Sequence, residues 1–182
     1  IICKLFSMMD IPVFYADDEA KRLYIENPIL KEKIISTFGN EIYPNNLFDK
    51  VALKNMVFSD KNLLAKLNSI VHPLVKNHYA EWEKRQKSLY TIKEAALLIE
   101  AGTYKDLDVL VVVTSPNDIR IDRICERDHL SKEEAKKRIE LQMPDKEKVE
   151  LADYIITNDE EHLIIPQVSS LHRRFVQLSL GN

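Results

Sequence analysis

Four short apolar runs constrain this 182-residue chain more than any other feature. They are Val13-Phe14-Tyr15, Leu89-Tyr90-Thr91-Ile92, Val109 to Val113, and Tyr154-Ile155-Ile156. Each is continuous rather than alternating, and each is rich in β-branched or aromatic residues. Such runs read as strands buried on both faces of a parallel sheet. Parallel neighbours need long crossovers, usually helical, and helical patterns do separate these runs. The expected class is therefore α/β, a parallel sheet flanked by helices.

Local signals bound the helices. Residues 1–9 read as the tail of a helix that began upstream. Pro28 suits the first turn of a helix and Gly39 its C-terminal stop. Asp60 suits an N-cap, and Pro73, after His72, reads as the start of a helix through Trp82. Ser131-x-x-Glu134 matches a capping box, and a last helix is expected from Ile164 to Leu178. Between the first and second runs lie roughly 70 residues, far more than one crossover helix needs. The excess reads as a helical subdomain built over one edge of the sheet.

Composition narrows the function. A hydrophobic fraction of 45% supports a core and argues against disorder. A net charge of −3 gives no basic field for nucleic acid, so no such partner is expected. No apolar run reaches the roughly 18 residues of a membrane span. The two cysteines, Cys3 and Cys125, lack metal-ligand spacing and suit a reduced, cytoplasmic setting. His129, His162 and His172 have no zinc spacing, and no Ser-His-Asp or Cys-His nucleophile set is visible.

In open parallel sheets, ligands bind beyond the carboxyl ends of the strands. The four runs are followed by Asp17, by Glu94, by Thr114-Ser115-Pro116 and by Asn158. Polar residues belong there in any case, because the chain leaves the core. Two carboxylates at one sheet edge are more specific: one could orient Mg²⁺ through water while the other accepts a hydroxyl proton. Arginine density is the second signal. Arg120, Arg123 and Arg127 share a helix face, and Arg138 follows. Salt bridges to Asp122, Glu126 and Glu134 on a solvated helix are the plainer reading, and for Arg120 the preferred one. Arg127 and Arg138 bracket a short polar turn, Asp128 to Ser131, between two helices. That is the form of a lid, and lids of phosphoryl-transfer enzymes bring arginines onto the transferring phosphate. His72 suits either a ligand contact or a structural hydrogen bond, and Tyr79 and Trp82 read first as packing.

Taken in order, these segments resemble the dephospho-coenzyme A kinase family. Ile11-Pro12-Val13-Phe14-Tyr15-Ala16-Asp17 looks like the family's xPVIDAD, and His72-Pro73-Leu74-Val75-Lys76 is similar to HPxxR. Glu94 to Gly102 resembles DxPLLFExG, and Arg127-Asp128-His129-Leu130-Ser131 resembles RDGLS. Arg138-Ile139 with Gln142-Met143-Pro144 resembles RIxxQMP, and Ala152 to Asn158 resembles ADxVIxN. Each motif alone is weak, but six in the family's order and spacing, over residues 5 to about 172, are specific.

The resemblance implies a P-loop kinase fold with a helical acceptor-binding insertion and a helical lid. It implies a nucleotide-binding core of residues 1–17, 88–119 and 146–182, an acceptor domain of 18–87 and a lid of 120–145. It also implies transfer of the ATP γ-phosphoryl group to the ribose 3′-hydroxyl of dephospho-coenzyme A, with Mg²⁺, in a monomer or small homo-oligomer. By matched position Asp17 becomes the general base or acceptor-orienting carboxylate, and Glu94 lies in the outer shell of Mg²⁺. His72, Lys76 and Glu100 fall on the acceptor side, Arg127 and Arg138 are the nucleotide and lid arginines, and Asn158 lies near the adenine.

The sequence departs from the pattern at several positions. Tyr15 replaces an acidic residue, Glu94 an aspartate, Ala96 a proline, Lys76 an arginine and His129 a glycine. The G-x-x-x-x-G-K-[ST] phosphate loop is not in the sequence, and its Lys-Ser/Thr pair is expected one or two residues before Ile1. Another small-molecule or nucleotide kinase of the same class, or a non-catalytic module that binds coenzyme A-like ligands, stays open as an alternative.

Overall fold

The computed structural model describes residues 1–58 and 60–181. Helix α1 (Ile2–Ser7) belongs to one of two compact units, Ile1–Ile11 with Ala96–Asn182; the other unit is Pro12–Ala95.

The Pro12–Ala95 unit begins with β1 (Val13–Tyr15) and ends with β2 (Ile92–Glu94), paired in parallel with Val13 opposite Ile92 and Tyr15 opposite Glu94. Four helices form the crossover: α2 (Ala16–Glu26), α3 (Pro28–Phe38), α4 (Lys50–Phe58) and α5 (Lys61–Lys84). Their apolar faces meet in one cluster. Leu30, Ile34 and Phe38 come from successive turns of α3, and Leu67 and Val71 from α5, with Leu23, Ile42, Tyr43, Leu53 and Val57 beside them. Tyr43 donates its hydroxyl to the Tyr24 carbonyl at 2.9 Å, and Phe48 stacks on Tyr24 at 4.6 Å. Burial pushes both phenols up to about 12.

The helix signals hold. Asn27 caps α3 with Pro28 in its first turn, and Gly39 ends it at a φ of 95°. That positive φ favours glycine there, while a Cβ would only require the exposed Glu41 side chain to swing aside. Asp60 accepts from the amides of Asn62 and Leu63 at 2.7 and 3.3 Å. The helix it caps runs through Pro73 rather than starting there. Leu67 and Val71 bury one face just before the proline, while the Ser69 carbonyl, which loses its helical donor to Pro73, lies at an exposed residue within reach of water.

Beyond Pro73, α5 covers β1. Phe14 packs on His78, Tyr79 and Trp82 with ring centroids 5.7, 5.1 and 5.3 Å away. The second strand falls later than its apolar run suggests, at Ile92–Glu94 rather than Leu89–Ile92. Leu89 is exposed, whereas Lys93 reaches over the Tyr79 ring at 4.8 Å. A charged residue with an aromatic partner is thus carried in the strand.

The other unit is built on β3 (Val111–Thr114) and β4 (Tyr154–Thr157), parallel and in register from Val111 opposite Tyr154 to Thr114 opposite Thr157. Helices α6 (Asn117–Asp128), α7 (Lys132–Glu140) and α8 (Asp145–Leu151) form the crossover, and α9 (Ile164–Ser179) follows β4. Leu110 and Val112 pack with Ile99. On α9, Val168, Leu171 and Phe175 are buried, and Phe6 of α1 stacks on Phe175 at 6.4 Å. The Asp153 carboxylate accepts from the Leu110 amide at 2.7 Å, and the Gln167 side chain holds both the amide and the carbonyl of Thr157. Burial is not two-sided as the apolar runs suggested. Val112 and Ile156 are buried, but Val113 and Ile155 remain nearly half exposed. The class is α/β, with parallel strand pairs flanked by helices.

Burial makes the α3 core testable. Ile34 is fully buried, whereas Ile29 on the same helix is 55% exposed. Ile34→Ala should lower unfolding free energy by about 3 kcal/mol, and Ile29→Ala by less than about 0.5 kcal/mol, read from urea midpoints at unchanged slope. Equal shifts would contradict the packing described.

Candidate active site

The register of β1 and β2 brings the two strand-exit carboxylates together. Tyr15 stands opposite Glu94, and the chain turns into α2 directly after Tyr15. Asp17, Asp18 and Glu19 fill the first turn of that helix, where its unpaired N–H groups favour negative charge. Glu94 is half buried. Burial first, and then the charges of Asp17 and Asp18, raise its carboxyl above the ordinary range. Lys21 opposes this in part, but its ammonium is committed to Asp18 at 2.6 Å. Glu19 binds His78 Nε2 at 2.9 Å, joining α2 to α5, and accepts from Arg22 at 3.1 Å.

His72 and Lys76 lie one turn apart on α5, and both are exposed. They share the helix with the aromatic face that covers Phe14. Tyr79 and Trp82 are packing residues here, as their first reading held.

The arginines belong to the other unit. The stripe on α6 does not bind the partners expected for a plain solvated helix. Arg120 donates Nη1 to both Asp145 oxygens at 2.9 Å and Nη2 to Gln142, joining α6 to the start of α8. Arg123 donates to the Ser115 hydroxyl, the Asn158 carbonyl and Glu160, joining the exits of β3 and β4. Asn158 itself donates its amide to the Thr114 carbonyl at 2.8 Å. Arg127, at the end of α6, donates Nε and Nη2 to Asp128 at 2.8 Å each, and Arg138 of α7 donates Nη1 to the same carboxylate. Asp128 was legible as part of the turn and of the RDGLS-like motif, but not as a partner of both arginines. An acidic residue between two arginines that flank one turn is the signal that marks it.

The turn has a further constraint. His129, where the family pattern has glycine, is left-handed at a φ of 55°, a conformation glycine takes without strain. Ser131 and Glu134 then form the expected capping box. At the far end, Glu100 accepts from the Met143 amide at 3.2 Å and binds Lys148 at 2.9 Å. Those bonds hold the Glu100 carboxyl below its ordinary value despite partial burial, which acts first and in the opposite direction.

Each of the two sites, taken by itself, has groups that phosphoryl transfer can use. Two carboxylates at one strand exit can hold a cation or take a proton, and two guanidinium groups on one turn can receive a phosphate. Among the described residues no group of three or more acids, histidines or cysteines forms a metal cage. Mg²⁺ needs none, since it binds through one or two carboxylates, water and substrate phosphates.

Comparison with known proteins agrees. The family model described as dephospho-CoA kinase matches residues 1–163. A dephospho-CoA kinase of Bacteroides fragilis (strain YCH46) is 33% identical over 172 residues, 94% of this chain and 84% of that protein. One from Fusobacterium nucleatum is 37% identical over 159 residues, 87% of this chain and 82% of that protein. Among solved structures, TT1252 from Thermus thermophilus superposes with a TM-score of 0.83 at 28% identity, over 97% of this chain and 90% of that one. A dephospho-CoA kinase from Campylobacter jejuni gives 0.67 at 26%, over 100% and 91%.

Glu94 yields a pH test. A carboxyl raised by folding binds its proton more tightly in the folded state. It therefore costs stability as pH climbs from the unfolded value, about 4.3, through the folded one, and the full cost persists above. Glu94→Gln should raise the melting temperature at pH 7, and the gain should vanish near pH 4. Identical melting curves for the two proteins at both pH values would show that the Glu94 charge is not opposed.

Proposed function

The chain belongs to the dephospho-CoA kinase family, and from that membership we propose how its own residues divide the reaction. The reaction moves the γ-phosphoryl group of ATP to the ribose 3′-hydroxyl of dephospho-CoA. It yields CoA and ADP, the last step of CoA biosynthesis.

Phosphoryl transfer asks a protein chiefly for positioning and charge neutralisation. Asp17 orients the acceptor hydroxyl and receives its proton. Support comes from its place in the first turn of α2 beside Glu94, where a second carboxylate stands at the same strand exit. Glu94 would help to hold Mg²⁺ through water. When bound, that ion neutralises charge on the phosphates. Arg127 and Arg138 meet the β- and γ-phosphates, a role their exposure and shared turn favour. Asn158 borders the adenine, and the Arg123 bond to its carbonyl keeps that loop in place. His72 and Lys76, exposed on one face of α5, bind the acceptor, Lys76 as a point charge where arginine would bind bidentately. Glu100 supports the acceptor pocket while bonded to Lys148.

The division of labour follows: residues 18–87 hold the acceptor, 120–145 form the lid, and 1–17, 88–119 and 146–182 hold the nucleotide. Among the described residues no helix is long and apolar enough to cross a membrane. A cytoplasmic monomer or small homo-oligomer completes the proposal.

The observation that carries the assignment of Asp17 is the pairing of Asp17 with Glu94. In the full-length enzyme, Asp17→Asn should lower kcat about 100-fold and leave KM for ATP within about two-fold, read by coupled ADP release with dephospho-CoA as acceptor. Near-normal turnover would remove Asp17 from the proton-accepting role.

A further inference from the structure

Two guanidinium groups from different helices share one carboxylate in the turn between α6 and α7. Arg127 and Asp128 are chain neighbours, and on a regular helix such side chains do not face each other. They meet because α6 ends at Asp128 and the chain turns left-handed at His129. Arg138 arrives from the last turn of α7 and binds Oδ2 of the same carboxylate. The contact leaves Nη1 of Arg127 and Nε and Nη2 of Arg138 outside it. Both arginine side chains are more than half exposed, and Asp128 is only a quarter exposed.

Fold stability is a poor reason for this arrangement. Exposed ion pairs contribute little, and the Ser131–Glu134 capping box already secures the start of α7. What Asp128 does is bring two like charges to one point. Without it they would repel and sample separate rotamers. With it they form a preorganised pair with net charge +1 and donors to spare. A polyphosphate needs that geometry, because donors fixed in advance lose little entropy on binding.

We propose that Asp128 is a positioning residue that holds Arg127 and Arg138 together as one receiver for the ATP phosphates. The proposal rests on the reading that these two arginines meet the nucleotide. The arginines hold the Asp128 carboxyl down to about 2, with the Arg127 hydrogen bond the first cause, so Asp128 stays ionised throughout the working range.

The test uses the full-length enzyme with ATP and dephospho-CoA varied in turn. Asp128→Asn should lower kcat/KM for ATP about ten-fold, leave KM for dephospho-CoA and the melting temperature unchanged, and be partly rescued by Asp128→Glu. Added to the Arg127→Ala/Arg138→Ala double variant, it should cost nothing further. That lack of additivity would not arise from a merely structural role. If Asp128→Asn melts early, the comparison within the double-arginine background still decides. A ten-fold loss there as well would show that its effect does not run through the arginines, and would overturn the proposal. If both arginine variants are impaired and Asp128→Asn keeps or exceeds wild-type kcat/KM, the proposal falls and the arginine reading stands. If the arginine variants keep wild-type ATP kinetics, the arginine reading itself fails and the proposal falls with it.

Discussion

Tyr15 stands opposite Glu94 in a parallel pair only three residues long, and the acidic site depends on that register. A slip of one position would carry Glu94 to the other face and away from the first turn of α2. So short a ladder has few hydrogen bonds of its own. Its stability comes from Phe14, whose ring is enclosed by His78, Tyr79 and Trp82 on one face of α5. Burying such a ring contributes about 2–3 kcal/mol. The long helix therefore has two tasks. Its first half closes the core around Ile34, and its second half fixes β1, which leads into Asp17 and pairs with the strand that carries Glu94. The Glu19–His78 pair adds a polar link between α2 and α5.

In the other unit, a single helix face sends its arginines to separate tasks. The spacing of Arg120, Arg123 and Arg127 suggests one stripe with one role, but side-chain length lets each find a different neighbour. Arg120 ties α6 to α8, and Arg123 ties the exits of β3 and β4. Both side chains are tied to groups outside their own helix. Arg127 lies where the helix stops, and only there does the chain geometry bring it into company with Arg138 through Asp128. Position along the helix thus separates joints that hold elements together from groups left available at a turn.

Much of this was legible because the signals were local and chemical. The Asn27–Pro28 start and Gly39 stop of α3, the Asp60 cap and the Ser131–Glu134 box each depend on backbone groups within four residues. The strands were legible by type, and their parallel sense followed from the long separations between them. Where the reading slipped, tertiary packing decided. Leu89 belongs to an apolar run but faces solvent, while Lys93 enters the strand because Tyr79 supplies a ring for its ammonium. Pro73 has the form of a helix start, yet burial of Leu67 and Val71 carries the helix across it. Asp128 was visible in its motif, but its double partnership was not. Its importance lies in two partners ten and one residues away, and no propensity records a carboxylate shared between helices.

The two charged sites are unbalanced in opposite senses, and each imbalance suits a different part of the reaction. Asp17 and Glu94 crowd negative charge at a strand exit, with the Lys21 ammonium committed to Asp18. Folding would be easier without one of them. Such a conflict persists where a cation or a transferred proton relieves it in the working state. Around Asp128 the excess is positive, and one carboxylate cannot satisfy two guanidinium groups. An arriving phosphate would lower the energy there by completing hydrogen bonds already aimed, without needing to break the pair apart. His129 takes the left-handed turn where the family pattern has glycine, and nothing in the structure explains that exchange. Stability alone gives that turn no reason to crowd two guanidinium groups on one carboxylate.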